Sequence, residues 1–249
     1  MPKDLFSKQA EDYAKFRPVY PQELFDYILQ FVQEKNIAWD CATGNGQAAL
    51  ALAPYFHKII ATDISQRQLD FASPHSNIEY KIAAAENTDF ADDTFDLITV
   101  AQAYHWFKFE GFEKEVKRVV KNKAVIAIWG YELMYSNDSA INKLIQNFYT
   151  EITGPYWSKE RIYLDNHYRN IPFNFTPLPT KNFAINVTWQ KIDFIGYLNS
   201  WSAVQHFITA NNYNPIDDIK EELNVIWKEE ERKPFHFPVF LKLGKVNKN

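Results

Sequence analysis

The chain has 249 residues, 46% of them hydrophobic, 16% aromatic and 23% charged, with a net charge of −4. This balance suits a soluble globular protein with one sizeable core, and 7 glycines and 12 prolines exclude a collagen-like or low-complexity chain. No basic excess exists to neutralise a phosphate backbone, and the single cysteine excludes an internal disulfide.

The opening MPKDLFSKQAEDYA mixes acids and bases where a signal peptide needs an apolar stretch. No apolar run approaches the ~20 residues that span a bilayer. A cytoplasmic protein without nucleic-acid or membrane partners is expected, and the sequence leaves monomer and dimer open. Residues 1–20 read as an aromatic arm. PQELFDYILQFVQEKN reads as a helix, with Pro21 in the first turn and Leu24, Ile28 and Phe31 on an apolar face. IAWDC is a strand ending in TGNG, and QAALALAPYF a helix stopped at Pro54. KIIATD is a second strand, followed by a helix capped by Ser65. NIEYKIA and DLITVAQA are strands, FEKEVKRVV is a helix, and AVIAIW is a strand apolar enough to be buried on both faces.

After Trp129 the alternation stops. SAINKLIQNFYTEI reads as a helix and residues 154–180 as irregular structure. KNFAINVTW reads as a strand, followed by two helical stretches and a last strand, FHFPVFLKLGKV. The run Lys228 to Lys233 reads as a solvated helix end. The alternation predicts one α/β domain over 1–249. Its parts are an arm (1–20), a ligand-binding core (37–130), an insertion or lid (131–180) and C-terminal strands and helices (181–249). Parallel strands with helices on both faces are expected, the late strands closing the edge as an antiparallel pair.

One segment carries chemistry. Trp39-Asp40-Cys41-Ala42-Thr43-Gly44-Asn45-Gly46 lies where a strand turns into a helix, and glycines there admit a ligand close to the backbone. Asp63 ends the next strand, where a carboxylate can accept both hydroxyls of a ribose. Gly44-x-Gly46-x-x-Ala49 also satisfies a loose dinucleotide fingerprint, so this segment alone does not separate NAD from S-adenosylmethionine. The six histidines lack metal-ligand spacing, so no metal is expected, and no Ser-His-Asp arrangement is legible.

Three further stretches resolve the choice. DCATGNG, ATDIS and AAAENTDFADDTFDLITVAQAYHWF, in this order and spacing, resemble the class I S-adenosylmethionine-dependent methyltransferases of type 11. YAKFRPVYP, QAYHWF and YLNSWSAVQ are similar to the branch around trans-aconitate methyltransferase. The resemblance implies a Rossmann-like, seven-stranded, mostly parallel sheet with an antiparallel last strand and a helical, aromatic lid. It implies methyl transfer to a small molecule, at a carboxylate or hydroxyl oxygen, leaving S-adenosylhomocysteine. Asp40, Ala42, Gly44, Asn45 and Gly46 would hold the amino-acid end of the cofactor. Asp63 would bind ribose, Ile64 would pack on adenine, Ala85 and Glu86 would read its edge, and Gln102 would stand beside the sulfonium.

Two departures accompany the resemblance: Ala42 stands at the family's first loop glycine, and Lys121-Asn122-Lys123-Ala124 replaces Pro-Gly-Gly before the fifth strand. Tyr13, Arg17, Tyr20, Tyr104, Trp106 and Trp201 are the candidate lid and acceptor residues. Arg17 is placed to clamp a carboxylate, and His105 is the candidate catalytic group. The rival readings are an NAD(P)-dependent oxidoreductase and a fold relative that binds without turnover.

Overall fold

The computed structural model describes residues 15–248. Tyr13 lies outside them. The first half alternates as its periodicity requires: α1 (Gln22–Leu29), β1 (Ile37–Cys41), α2 (Gln47–Leu52), β2 (Lys58–Asp63), α3 (Gln66–Asp70), β3 (Ile78–Ile82), β4 (Phe95–Ala101), α4 (Phe109–Val119) and β5 (Val120–Tyr131). Ser65 caps α3 by accepting the Gln68 N–H, whereas Pro21 stands just before α1 at its N-cap. The second half contains β6 (Tyr135–Ser136), α5 (Ser139–Asn147), α6 (Arg161–Asp165), β7 (Thr176–Pro177) and β8 (Phe183–Trp189). It ends with α7 (Lys191–Asn199), α8 (Ser202–Asn211), α9 (Lys220–Ile226) and β9 (Lys233–Lys245).

Strands β1 to β5 run parallel in the order β3-β2-β1-β4-β5, and β9 continues the sheet antiparallel to β5. Strand β8 lies antiparallel on the far edge of β9. The sheet has nine strands where seven were expected. The reason is the length of β9, 13 residues, which exceeds what either long neighbour covers. β5 pairs with Val239–Lys245, and β6 then takes the same edge at Phe235 and His236. On the other edge β8 stops at Val239 and β7 takes Gly244 and Lys245. The two short strands thus answer backbone groups that would otherwise lose their partners.

Alternation along β5 sends Val125, Ala127 and Trp129 to one face and Ala124, Ile126 and Ile128 to the other. Helices α1 and α2 cover the first face with Leu24, Phe25, Ile28, Ala49 and Leu52. Helix α4 covers the second with Phe112, Val116 and Val119, each buried apolar side chain contributing roughly 1.5–3 kcal/mol. Cys41, the last residue of β1, is buried.

Two local expectations are corrected. Lys121–Ala124 belongs to β5 rather than to a peripheral turn, and a register shift between Phe95 and Leu97 absorbs it. Lys233 is buried as the first residue of β9, ion-paired to Asp138 and Glu231, rather than solvated on a helix end. Among the described residues no helix is long and apolar enough to cross a membrane.

Candidate active site

Open parallel sheets leave a crevice beyond the carboxyl ends of their strands. Here it is a cavity of about 490 Å³, within the range of small-molecule sites. Each strand end contributes to its wall. Ala42 and Gly44 follow β1, Asp63 to Ser65 close β2, Ala85 and Glu86 follow β3, and Gln102, His105 and Trp106 follow β4.

The bend after β1 is built from left-handed backbone at Ala42 (φ 55°), Gly44 (φ 57°) and Gly46 (φ 85°). Its Thr43 N–H donates to the Thr62 carbonyl and its Gly44 N–H to Asp63 Oδ2 at 2.9 Å. Asp63 Oδ1 accepts the Ser65 N–H, also at 2.9 Å. One carboxylate therefore locks both strand-end loops. A Cβ at Gly44 would meet nothing nearer than 3.8 Å, so the backbone lies open to a ligand there. At Gly46 a Cβ would fall 2.5 Å from the Tyr80 hydroxyl, so this glycine serves packing.

Asp40 lies beneath the bend instead of on the cavity wall. It is fully buried and accepts bonds from the Thr43 and Thr99 hydroxyls and the Ala49 N–H. Burial raises its pKa to about 6 despite those donors. Its position follows from β1 alternation, which turns Asp40 into the sheet face that Ala38 shares. Asn45 and Gly46 likewise stand off the wall.

Glu86 is pinned by the Lys108 N–H, which donates to its Oε1 at 2.8 Å. Ile64 remains 41% exposed on the wall, available to an apolar ligand face. Gln102 has left-handed backbone (φ 56°), and its amide is committed to β5. Its Oε1 accepts the Tyr131 N–H and its Nε2 donates to the Tyr131 carbonyl. It shapes the wall with a side chain whose polar groups already have backbone partners.

His105 lies on the wall but is 6% exposed, and its Nδ1 pairs with the Tyr168 hydroxyl at 3.0 Å. Burial, assisted by the charge of Arg161, pushes its pKa down to about 3. At that value the imidazole is neutral near pH 7 and a weak base. It remains a neutral hydrogen-bonding group.

The aromatic candidates divide by layer. Trp106 reaches the wall. Tyr104 is buried one layer behind, its hydroxyl donating to the Pro172 carbonyl. Tyr20 packs edge-on to Trp129 in the core. Trp201 is also one layer back, with its ring centroid 5.4 Å from that of Trp157, and it is Trp157 that meets the cavity. Arg17 reaches the wall, while its guanidinium donates to the Tyr131 hydroxyl and the Ser200 carbonyl.

The roof contains Ser202 from the YLNSWSAVQ stretch and four residues the motifs missed: Trp157, Glu160, Arg161 and His206. Arg161 lies over the Trp157 ring at 4.5 Å and pairs through Nε with Asp165. Trp157, Arg161 and Asp165 follow one another at intervals of four, and that spacing was the available signal. His206 Nδ1 faces the Tyr156 carbonyl at 2.9 Å; a carbonyl only accepts, so Nδ1 donates.

A doubly wound sheet with an acid-tethered glycine bend beside its crevice has the architecture of the α/β proteins that seat ligands at their strand ends. Residues 39–128 match the family described as Methyltransferase domain. A methyltransferase-family protein of Dictyostelium discoideum is 35% identical over 97% of this chain and 95% of its own length. A solved type II methyltransferase-family structure from Anaeromyxobacter dehalogenans superposes with TM-score 0.85 at 31% identity, covering 94% of this chain and all of that one. The YcgJ protein of Bacillus subtilis shares the fold at 17% identity, with TM-score 0.54 over 92% of this chain and 100% of its own. The chain belongs to the class I methyltransferase family, in its type 11-like form.

Proposed function

We propose that this chain transfers a methyl group from S-adenosylmethionine to an oxygen of a small-molecule acceptor. The carrying observation is Asp63, whose two oxygens hold the Gly44 and Ser65 N–H groups and so place a carboxylate between two strand-end loops on the wall of an open cavity. The residues fit the cofactor: Gly44 leaves room for it, Ile64 offers an apolar face, and Asp63 and Glu86 supply acceptors. Bound S-adenosylmethionine supplies a methyl carbon whose bond to sulfur breaks, its pair staying on sulfur, as an acceptor oxygen's pair forms the new bond.

The protein's work in such a displacement is alignment, worth roughly 7–11 kcal/mol when two reactants are held in near-attack geometry. The strand-end loops fix one reactant through Asp63 and Glu86, and the roof of Trp157, Arg161 and His206 covers the other and limits water. An ionised carboxylate acceptor needs no base. The trans-aconitate branch rests on the sequence motifs alone. Family membership leaves the NAD(P) reading without support.

Titration calorimetry with S-adenosylhomocysteine and NADH tests the reading. Binding of the sulfur compound and not of NADH is expected, together with label transfer from methyl-labelled S-adenosylmethionine to an oxygen acceptor. Silence toward the sulfur compound overturns the proposal. Tight binding with no transfer to any acid or phenol would leave a protein that binds without turnover.

A further inference from the structure

The cavity is electrically lopsided. Asp63 and Glu86 stand at the ends of β2 and β3, whereas the cations Arg17 and Arg161 stand on the side of the arm and roof. Arg17 already donates to Tyr131 and Ser200. Arg161 is different. Its side chain is 19% exposed, and its Nε alone makes hydrogen bonds, to the Tyr149 hydroxyl at 3.1 Å and Asp165 at 3.0 Å. Neither Nη group donates to any described residue. Trp157 and Tyr149 lie against the guanidinium at 4.5 and 5.4 Å, which fixes its plane. Only Asp165, itself 46% exposed, offsets the charge by contact, while Glu160 stands beside it on the roof.

A planar guanidinium held by its Nε and its face, with both Nη groups unused, is prepared for a two-pronged acceptor. We propose that Arg161 is the specificity-determining residue of the acceptor end and that it grips a carboxylate of the substrate. The inference rests on the methyltransferase reading and deepens it. Packing of the aromatic roof uses the face and Nε of Arg161 and leaves the two Nη groups unexplained. A carboxylate gripped here is either the group that receives the methyl or a second carboxylate that orients it, and in both cases the acceptor is an anion. Its charge also answers the lopsidedness, since the anion would lie on the side of the arginine and not on that of the acids.

The test titrates phenylacetate, succinate, citrate, inorganic phosphate and the neutral phenylacetamide and succinamide into wild type, R161M and R161K, each with and without S-adenosylhomocysteine. At least one carboxylate is expected to bind wild type, roughly 10- to 100-fold more weakly in R161M, with R161K between. S-adenosylhomocysteine affinity and Tm should stay near wild type in both variants, and the amides should not respond to the substitution. Where turnover is measurable, KM for the carboxylate should rise while KM for S-adenosylmethionine does not.

Equal carboxylate binding by wild type and R161M, no carboxylate binding at all, or binding of phosphate alone would each overturn the proposal. If R161M fails to fold, R161K keeps the test open, since its charge without the planar fork should still cost affinity for carboxylates alone. Failure of S-adenosylhomocysteine to bind wild type would instead overturn the methyltransferase reading, and the titrations without it still judge Arg161.

Discussion

The strand-end wall of the cavity and its roof are made by different means. The wall is backbone chemistry: left-handed residues at Ala42, Gly44 and Gly46, N–H groups aimed at Asp63, and a side-chain amide at Gln102 paired with the main chain of Tyr131. The roof is side-chain chemistry, in which Trp201 supports Trp157, Trp157 carries Arg161, and His206 is oriented by the carbonyl of Tyr156. A wall that holds an invariant reactant can be fixed by strand register, whereas a roof that reads a particular acceptor can change with its side chains. Substitutions in the wall should therefore alter cofactor binding, and those in the roof acceptor choice.

The largest expected effect is on acid stability, because each region buries one ionisable group with an opposite shift. His105, under the roof, has its pKa lowered from 6.5 to about 3. The unfolded chain takes up that proton first, so the stability His105 permits is complete above pH 6.5 and drains as pH falls toward 3, by roughly 3–5 kcal/mol. Asp40, under the wall, has its pKa raised from 3.8 to about 6. Its contribution is therefore full below pH 3.8 and declines as pH rises through 6. Urea unfolding from pH 4 to 7 should show H105Q losing less stability on acidification than wild type. D40N should remove the opposing limb and make the acid loss steeper. Parallel curves for H105Q and wild type would contradict the buried, neutral imidazole.

Next comes D63A. It deprives the Gly44 and Ser65 N–H groups of their acceptor and removes the proposed ribose partner, so S-adenosylhomocysteine affinity should fall by about 3 kcal/mol, more than 100-fold. Calorimetry reads this directly, and unchanged affinity would refute the assignment of the wall. G46A should destabilise the fold by about 2 kcal/mol, since φ is 85° and the new Cβ would meet the Tyr80 hydroxyl. Adding Y80F should recover only the part of that loss due to the hydroxyl, since two ring carbons would still lie 3.0 and 3.1 Å from the new Cβ, and denaturant midpoints of the double variant read that part against Y80F alone.

The wall was legible in the sequence for the reason that makes it rigid. A bend of given handedness needs glycine or a tolerant residue at fixed spacing after a strand, and Asp63 must end the next strand to reach it. Those demands leave DCATGNG and ATDIS as marks. Asp40 was misplaced because strand alternation, not motif membership, decides which way a side chain points. The roof left little trace. Trp157, Arg161 and His206 are brought together by chain lying between β5 and β9; the four-residue spacing of Trp157 and Arg161 is a local signal, but nothing local announces His206. Trp201 was noticed as an aromatic of the right region, yet its exposure of 2% makes it a support. The two short strands were invisible because two residues carry no pattern, and the length of β9 alone required them.

The smallest effect concerns the family's missing glycine. Ala42 holds φ 55°, a conformation that costs an ordinary L-residue about 1 kcal/mol. Glycine there would relieve the strain but lose more conformational entropy on folding, by roughly 0.5–1 kcal/mol. The two terms nearly cancel, so A42G should shift stability by less than about 0.5 kcal/mol. The methyl group at Ala42 belongs to the cavity wall, where it takes space beside Gly44. If it crowds the cofactor, A42G should tighten S-adenosylhomocysteine binding with no matching rise in Tm. If the bend has adapted to it, affinity and Tm should both stay within error of wild type, and the departure from the family's glycine carries no functional weight. Looser binding in A42G would show that the side chain contributes a contact, making the wall less purely a matter of backbone than its hydrogen bonds indicate.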